Sequence, residues 1–237
     1  MTSLRRITVV VPARNEQAHV AACLDSLRTS ANQLRREYPG ISCDVVVVLD
    51  CCTDQTGTLA DGRGVRTIVS TIGRVGAARH LGALDAVAKT RRAGLPDDAV
   101  WLANTDADTT VPPNWLAAQV QFADAGFDAV IGTVTPDGLD RPTARLWQQR
   151  HRLAEGHDHV HGANLGIRAD LYMTVGGFAA VSLHEDLDLV NRVKAHTRRW
   201  TTTHRTNVRT SARKNSRVEG GFASYVADLG SEGSSCA

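Results

Sequence analysis

Residues 99–108 read AVWLANTDAD, an apolar strand-like run that ends in two carboxylates, Asp106 and Asp108, with one alanine between them. Two carboxylates this close repel each other unless something positive lies between them. A divalent cation with oxygen ligands would meet that need. Solvent would meet it too, because Asp is common in turns. What flanks the stretch has to decide.

Outward from it, the chain repeats one theme. ITVVVP (7–12) and DVVVVLD (44–50) are continuous β-branched runs, as expected of strands buried on both faces. RTIVS (66–70) is a shorter third strand, AVWLANTD (99–106) the fourth and DAVIGTVT (128–135) the fifth. Helical patterns lie between them. Val20, Cys23, Leu24 and Leu27 follow Asn15 and Glu16 at helical spacing, and residues 76–92 place Leu81, Leu84 and Ala88 on one face. Residues 112–126 open with prolines and close at Gly126. Strand alternating with helix predicts an α/β fold with parallel pairing and helices on both faces of the sheet. Ligands of such sheets bind beyond the carboxyl ends of the strands. The polar residues stand there: Pro12 to Glu16 after the first run, Asp50 after the second, Asp106 and Asp108 after the fourth. Beyond about residue 140 the alternation decays, and the second half reads as an extension packed on the first. Residues 229–237 are small and polar and are predicted to be disordered.

Composition narrows the classes. The 237 residues fit one large domain or two small ones, and 42% hydrophobic with 22% charged residues is ordinary for a soluble globular protein. A net charge of +2 is too small to argue for nucleic acid or an anionic membrane surface. A local basic cluster, RTNVRTSARKNSR (205–217), could meet phosphates. No stretch approaches the ~20 apolar residues of a membrane span, and the start does not resemble a signal peptide. The five cysteines, an odd number without metal-ligand spacing, predict a reducing cytoplasm. The adjacent Cys51 and Cys52 read as small half-buried residues.

At this point a resemblance enters. VVVPARNEQAHVAACLDSL, VVVLDCCTDQT, VGAARHLGAL, TDADTTVPPNWL, HGANLGIRADLYMTVGGF and HEDLDL occur in the order seen in family 2 glycosyltransferases of the GT-A fold, over residues 7–195. The resemblance implies a Rossmann-like, mostly parallel central sheet with helices on both faces. It implies one GT-A domain over residues 1–228, with a nucleotide-sugar half to about 110 and an acceptor half beyond. Pro12, Arg14 and Glu16 would lie against the donor nucleotide. Asp50 would bond the base edge, although Leu49-Asp50-Cys51-Cys52 departs from the family's Asp-Asp-Gly-Ser stretch. Arg79, behind Gly73 and Gly76, would neutralise the diphosphate or contact the base. Asp106 and Asp108 match the Asp-x-Asp signature that holds Mg²⁺ or Mn²⁺ on the donor diphosphate, Asp108 more closely. His204 would be an additional metal ligand. His161, Gly162, Ala163 and Asn164 would line the acceptor pocket, with His157 and His159 peripheral. Asp186 would be the catalytic base, supported by Glu185 and Asp188. Arg209, Arg213 and Lys214 would clamp the diphosphate or an acidic acceptor, or be solvated.

Plainer readings stand beside these. Asn15 and Glu16 also suit a helix start, Thr53 and Asp54 a capped turn, and Gly73 to Arg79 a tight turn with a solvated arginine. The acids of HED also suit a helix dipole, and the spacing of HDHVH (157–161) alone would suit a zinc-like cluster. The implied activity is metal-dependent, inverting sugar transfer from a nucleoside-diphosphate sugar to an unidentified acceptor hydroxyl. Nucleotidyl transfer to a sugar phosphate is disfavoured, because ARNEQ stands where that chemistry wants a glycine-rich basic loop. A binding module without turnover is disfavoured by the intact TDAD and HED stretches.

Overall fold

A computed structural model describes residues 3–151, 153–181 and 183–213; Lys214 and the 229–237 tail, both singled out above, lie outside them. Eight strands form one sheet: β1 (Arg6–Ala13), β2 (Ser42–Asp50), β3 (Arg66–Ser70), β4 (Val100–Asn104), β5 (Thr109–Thr110), β6 (Ala129–Asp137), β7 (Leu165–Arg168) and β8 (Trp200–Ser211). The helices are α1 (Val20–Glu37), α2 (Thr56–Asp61), α3 (Val75–Arg92), α4 (Trp115–Asp124), α5 (Arg141–Arg150), α6 (Ala169–Thr174) and α7 (Glu185–His196). Strand order is β3-β2-β1-β4-β7-β6-β8-β5. The first four strands pair in parallel, whereas β7 runs antiparallel to both β4 and β6. This is the α/β, mostly parallel arrangement expected of a GT-A fold.

The valine runs form strands because both faces of the sheet are covered. Along β4, Trp101 and Ala103 enter the core beneath α1 and α4, while Val100 and Leu102 enter the core beneath α3, α6 and α7. Alternate residues therefore feed opposite layers, and neither register has a polar side. Proline is tolerated in this central strand for a local reason. Pairing of β1 with β4 ends at Val10, so Pro12 has only β2 as a neighbour and its missing N–H breaks no ladder bond to β4.

One helix turns differently from its sequence pattern. Leu84 of α3 is exposed and Leu81 only half-buried; the buried face runs through Ala78, Arg79, Gly82, Ala83, Ala86 and Val87. Leucine periodicity misleads here because α3 lies too close to the sheet for large side chains. A Cβ on Gly82 would stand 2.6 Å from Val10 Cγ1 and 3.0 Å from Val48 Cγ2. The small face brings the start of α3 down against the ends of the strands.

The 205–217 cluster is, over most of its described part, a strand. Residues up to Ser211 belong to β8, whose Thr202, Thr206, Val208 and Thr210 are buried while Arg205 and Arg209 are exposed. Threonine serves as the β-branched inward residue, and the arginines are the outward positions of a strand.

Candidate active site

The four parallel strands end on one rim, and their loops hold one another. Asn15 Oδ1, after β1, accepts from Thr53 N–H at 2.8 Å, after β2. Glu16 N–H donates to Thr56 Oγ1 at 2.7 Å, and Asp54 accepts from Gln17 N–H at 3.1 Å. Asp50 Oδ1 accepts from Ser70 Oγ at 2.7 Å and Gly73 N–H at 3.0 Å, which fixes the loop after β3; its Oδ2 has no partner among the described residues. The helix-start reading of Asn15 and Glu16 gives way: the residue that precedes α1 is His19, and Asn15 spends its carbonyl on the next loop. Among the described residues three non-glycine residues have positive φ, namely Asn15, Cys51 and His184. The first two end β1 and β2 and the third precedes α7, so the unfavourable backbone is confined to the rim and the HED turn.

Carboxylates gather at the centre of the rim. Glu16 is 5% exposed and the Asp108 side chain 10%, and the Arg213 guanidinium spans them: Nη1 lies 2.7 Å from Glu16 Oε1 and Nη2 3.1 Å from Asp108 Oδ2. Thr210 of β8 donates to Asp108 Oδ1 at 3.3 Å. Burial, and secondarily the charge of Asp106, pushes the Asp108 carboxyl up to about 6, against the opposing pull of Arg213. A buried oxygen-only donor set whose charge is this costly suits a hard divalent cation. Among the described residues no three His, Cys, Asp or Glu side chains converge to hold a metal by themselves. His204 therefore does not join the two aspartates. It sits on the irregular stretch of β8 opposite β6, with Nδ1 2.9 Å from Thr133 Oγ1. The same finding removes the zinc-like reading of HDHVH, whose rings instead lie in a row: His157 and His161 have centroids 5.8 Å and 6.3 Å from that of His159.

Beside the carboxylates lies a second cluster. Arg79, near the start of α3, is 3% exposed, and its guanidinium is committed to protein. Nη2 donates to Asp106 Oδ1 at 2.6 Å and Nη1 to Glu185 Oε1 at 2.5 Å, with the plane 5.4 Å from the Phe178 ring centroid. Burial alone would depress the arginine, but Asp106 and Glu185 outweigh it and hold the charge firmly in place. Each amino group of Arg79 donates to a carboxylate and Nε is buried, so the solvated-arginine reading gives way. Asp186 follows Glu185 at the start of α7. Its Oδ2 accepts from Gly162 N–H at 2.7 Å and its Oδ1 from Leu187 N–H at 2.8 Å.

The HGAN stretch divides. Gly162 serves Asp186 through its backbone. Asn164, expected at the acceptor, is 2% exposed with its amide spent in the core: Nδ2 donates to Thr133 O at 2.8 Å and Thr206 O at 2.7 Å, and Oδ1 accepts from Trp115 Nε1 at 2.9 Å. Ala163 is likewise packed in the core. His161 stays half-buried near Asp186, and burial drives its imidazole down to about 4, so it is neutral at pH 7. Of the basic residues, Arg209 pairs with Asp137 at 2.6 Å, away from the carboxylates. Sequence reasoning missed Thr210 and Phe178 as walls of the site and the Arg79–Glu185 pair, whose partners lie 106 positions apart and leave no local pattern.

With this geometry in hand, comparison with known proteins is informative. Solved structures of similar fold include S. aureus TarS residues 1–349 with UDP-GlcNAc (TM-score 0.64, 16% identity, covering 96% of this chain and 66% of that one). The mannosyltransferase PcManGT from Pyrobaculum calidifontis, with GDP-Man and Mn²⁺, gives 0.62 at 20% identity, covering 94% of this chain and 60% of that one. Glucosyl-3-phosphoglycerate synthase from Mycobacterium tuberculosis, with Mn²⁺, UDP and phosphoglyceric acid, gives 0.56 at 18% identity, covering 97% and 78%. No curated protein matches the chain. The fold is thus that of the GT-A glycosyltransferases. Residues 8–179 match the model of glycosyl transferase family 2, and the chain belongs to that family of glycosyltransferase enzymes. It spans 66% and 60% of the first two structures' lengths. No helix among the described residues is long and apolar enough to cross a membrane.

Proposed function

We propose that the protein moves a sugar from a nucleoside-diphosphate sugar to an acceptor hydroxyl with inversion at the anomeric carbon, with the help of a divalent cation. The observation that carries the reading is the adjacency of two clusters: Asp106 of the carboxylate rim and Glu185, next to Asp186, share one arginine. A donor bound at the rim would have its anomeric carbon beside the HED turn.

In this mechanism the loops after β1 and β2, with Pro12, Arg14, Glu16 and Asp50, bind the nucleotide. The accessible oxygen chemistry of Asp50 suits a base N–H or ribose hydroxyl, while its other oxygen keeps the loop after β3 in place. Asp108, with Asp106, would hold Mg²⁺ or Mn²⁺, leaving further positions to diphosphate oxygens and water. That ion would stabilise the negative charge developing on the leaving diphosphate. Asp186 takes the proton of the acceptor hydroxyl as the new oxygen–carbon bond forms. The bond to the diphosphate breaks on the opposite face of the sugar, and the proton remains on Asp186. Gly162 N–H steadies one oxygen of that carboxylate, and neutral His161 offers the acceptor a hydrogen bond without repelling a cationic centre. Arg213, now across Glu16 and Asp108, is suited to shift onto the diphosphate once a divalent cation engages Asp108 and the nucleotide engages Glu16. The complexes of the similar structures with UDP-GlcNAc, GDP-Man and Mn²⁺ support this donor class and this ion. The four cysteines among the described residues are free, which is consistent with a reducing compartment such as the cytoplasm.

A thermal-shift screen of UDP-, GDP- and dTDP-sugars with Mn²⁺ or Mg²⁺ tests the reading, followed by transfer or donor-hydrolysis assays with the stabilising donor. A donor that raises the melting temperature only with the ion, and is then turned over, is the expected result. Stabilisation by none of them, or product with retained anomeric configuration, overturns it.

A further inference from the structure

Arg79, 3% exposed, is among the most buried charged groups of the described residues, and its surroundings are built for it. Gly162 has no side chain where a Cβ would stand 2.6 Å from the Arg79 Cζ. Gly76, one turn earlier on α3, leaves room for Glu185, since a Cβ there would lie 2.9 Å from Glu185 Cγ and 2.4 Å from Ala179 O. Phe178 covers the guanidinium plane at 5.4 Å. The three elements that meet here are those the proposed reaction needs in register. Asp106 follows β4, where the donor and ion would bind. Glu185 opens α7 next to Asp186. Gly162 donates to Asp186 at 2.7 Å while its Cα packs against the same guanidinium.

We propose that Arg79 is a positioning residue: through Asp106, Glu185 and the Gly162 peptide it fixes the distance between the donor carboxylates and the Asp186 carboxylate. This rests on the reading of Asp186 as the base. It assigns Arg79 no contact with donor or acceptor. The planar fork is what the role requires, since two separate N–H groups hold two carboxylates at a set separation, and a lysine ammonium carries the charge without that geometry. Glu185 then acts as the anchor of the HED turn and not as a reacting group. Displacement of about 1 Å between reacting groups costs on the order of 10²-fold in rate, so a change that spares binding still registers in turnover.

The test uses the full chain with the donor found by the screen above, and measures kcat and donor KM for Arg79→Lys, Gly162→Ala, Glu185→Gln, Asp186→Asn and the Arg79→Lys/Asp186→Asn double variant, with melting temperatures and Mn²⁺–nucleotide affinity alongside. Arg79→Lys and Gly162→Ala are the variants that keep every charge and alter only the fork or its seat. Both are expected to fold, keep donor KM within about threefold, and lose roughly 10²-fold in kcat. Glu185→Gln, which still accepts from the fork, should keep more turnover than Arg79→Lys. Combined with Asp186→Asn, Arg79→Lys should cost little more, because both act through one carboxylate. A rise in donor KM with kcat preserved would make Arg79 a donor contact and overturn the inference. So would independent, multiplying losses in the double variant, or wild-type kcat in folded Arg79→Lys. Full turnover in Asp186→Asn alone would instead remove the underlying reading of the base, a distinct result from any of these.

Discussion

The two ends of the sheet contrast in how their residues are used. In the first, β1 to β4, valine-rich strands buried on both faces deliver polar residues to one rim, and each of those residues stands directly after its strand. In the second, β5 to β8, strands run in both directions, interleave threonine and glycine with fewer valines, and place their polar groups within the sheet. Asn164 shows the difference. It follows a histidine and a glycine in a stretch that looks like a binding loop, yet its amide ties β6 to β8. Gly132 on β6 is vacant to admit it, for a Cβ there would stand 2.1 Å from Asn164 Nδ2. A polar residue at the rim of a parallel sheet is exposed to ligand by topology. A polar residue beside the irregular pairing of β6 with β8 has backbone to satisfy first.

The sharpest way to break this contrast is at the one place where the second region reaches the first. Asp186→Asn is nearly isosteric and keeps an acceptor for Gly162 N–H. It should leave folding and donor affinity near wild type while lowering turnover by about 10²–10⁴-fold. If it served only the α7 dipole, the loss would be at most ~1 kcal/mol of stability with turnover kept. Steady-state kinetics with a denaturation curve separate the two outcomes.

The next effect concerns stability alone. Asn164→Ala orphans two buried carbonyls and the Trp115 indole N–H, and is expected to cost about 2–4 kcal/mol by urea unfolding, given ~1–3 kcal/mol for an unsatisfied buried group. Nucleotide affinity of the folded fraction should be unchanged. A weakened acceptor KM with normal stability would return Asn164 to the acceptor pocket.

Legibility in the sequence follows the same division. The strands β1, β2, β3 and β4 were readable because continuous β-branched runs have no other economical fate in a chain of this composition, and the rim residues were readable because topology puts them there. The leucine face assigned to α3 failed because the helix is seated on glycine and alanine. β8 went unread because its inward residues are threonines interleaved with arginine, which in sequence resemble a basic surface segment. Arg79 was noticed for its charge, but nothing near it in sequence announces that Asp106 and Glu185, 27 and 106 positions away, would each engage one of its amino groups.

A smaller effect is expected at the rim carboxylates. With Asp108 pushed up to about 6, the ion must compete with a proton below that pH. Stabilisation by Mn²⁺ with donor nucleotide should therefore grow between pH 5 and 7, reaching roughly 2.7 kcal/mol at a ligand concentration of about 100 Kd. Asp108→Ala should abolish both the shift and its pH dependence, while Asp50→Asn should weaken nucleotide binding and leave the metal dependence intact. Equal melting shifts in wild type and Asp108→Ala would remove the ion from this end of the sheet.

The smallest effect tests whether His161 belongs with the buried interior of the second region or with the open rim of the first. Burial, against the opposing pull of Asp186, lowers its imidazole to about 4, whereas in the unfolded chain it titrates near ~6.5. Between those values the unfolded chain takes up a proton that the folded protein refuses, so stability is full above pH ~6.5 and falls as pH drops. The limiting slope is about 1.4 kcal/mol per pH unit from this residue. His151 and His157, also lowered by burial, add to the fall, while Asp108, raised, opposes it below about pH 6. The wild-type curve alone therefore mixes terms of both signs, and the difference between wild type and His161→Gln isolates one of them. That difference should be flat from pH 8 to 7 and should then move in favour of the variant, by about 1 kcal/mol on reaching pH 5.5. Parallel curves across the whole range would mean that the folded protein protonates His161 as readily as water does. The imidazole would then belong to the solvated rim, and an acceptor approaching Asp186 would meet a cation in mild acid in place of a neutral ring.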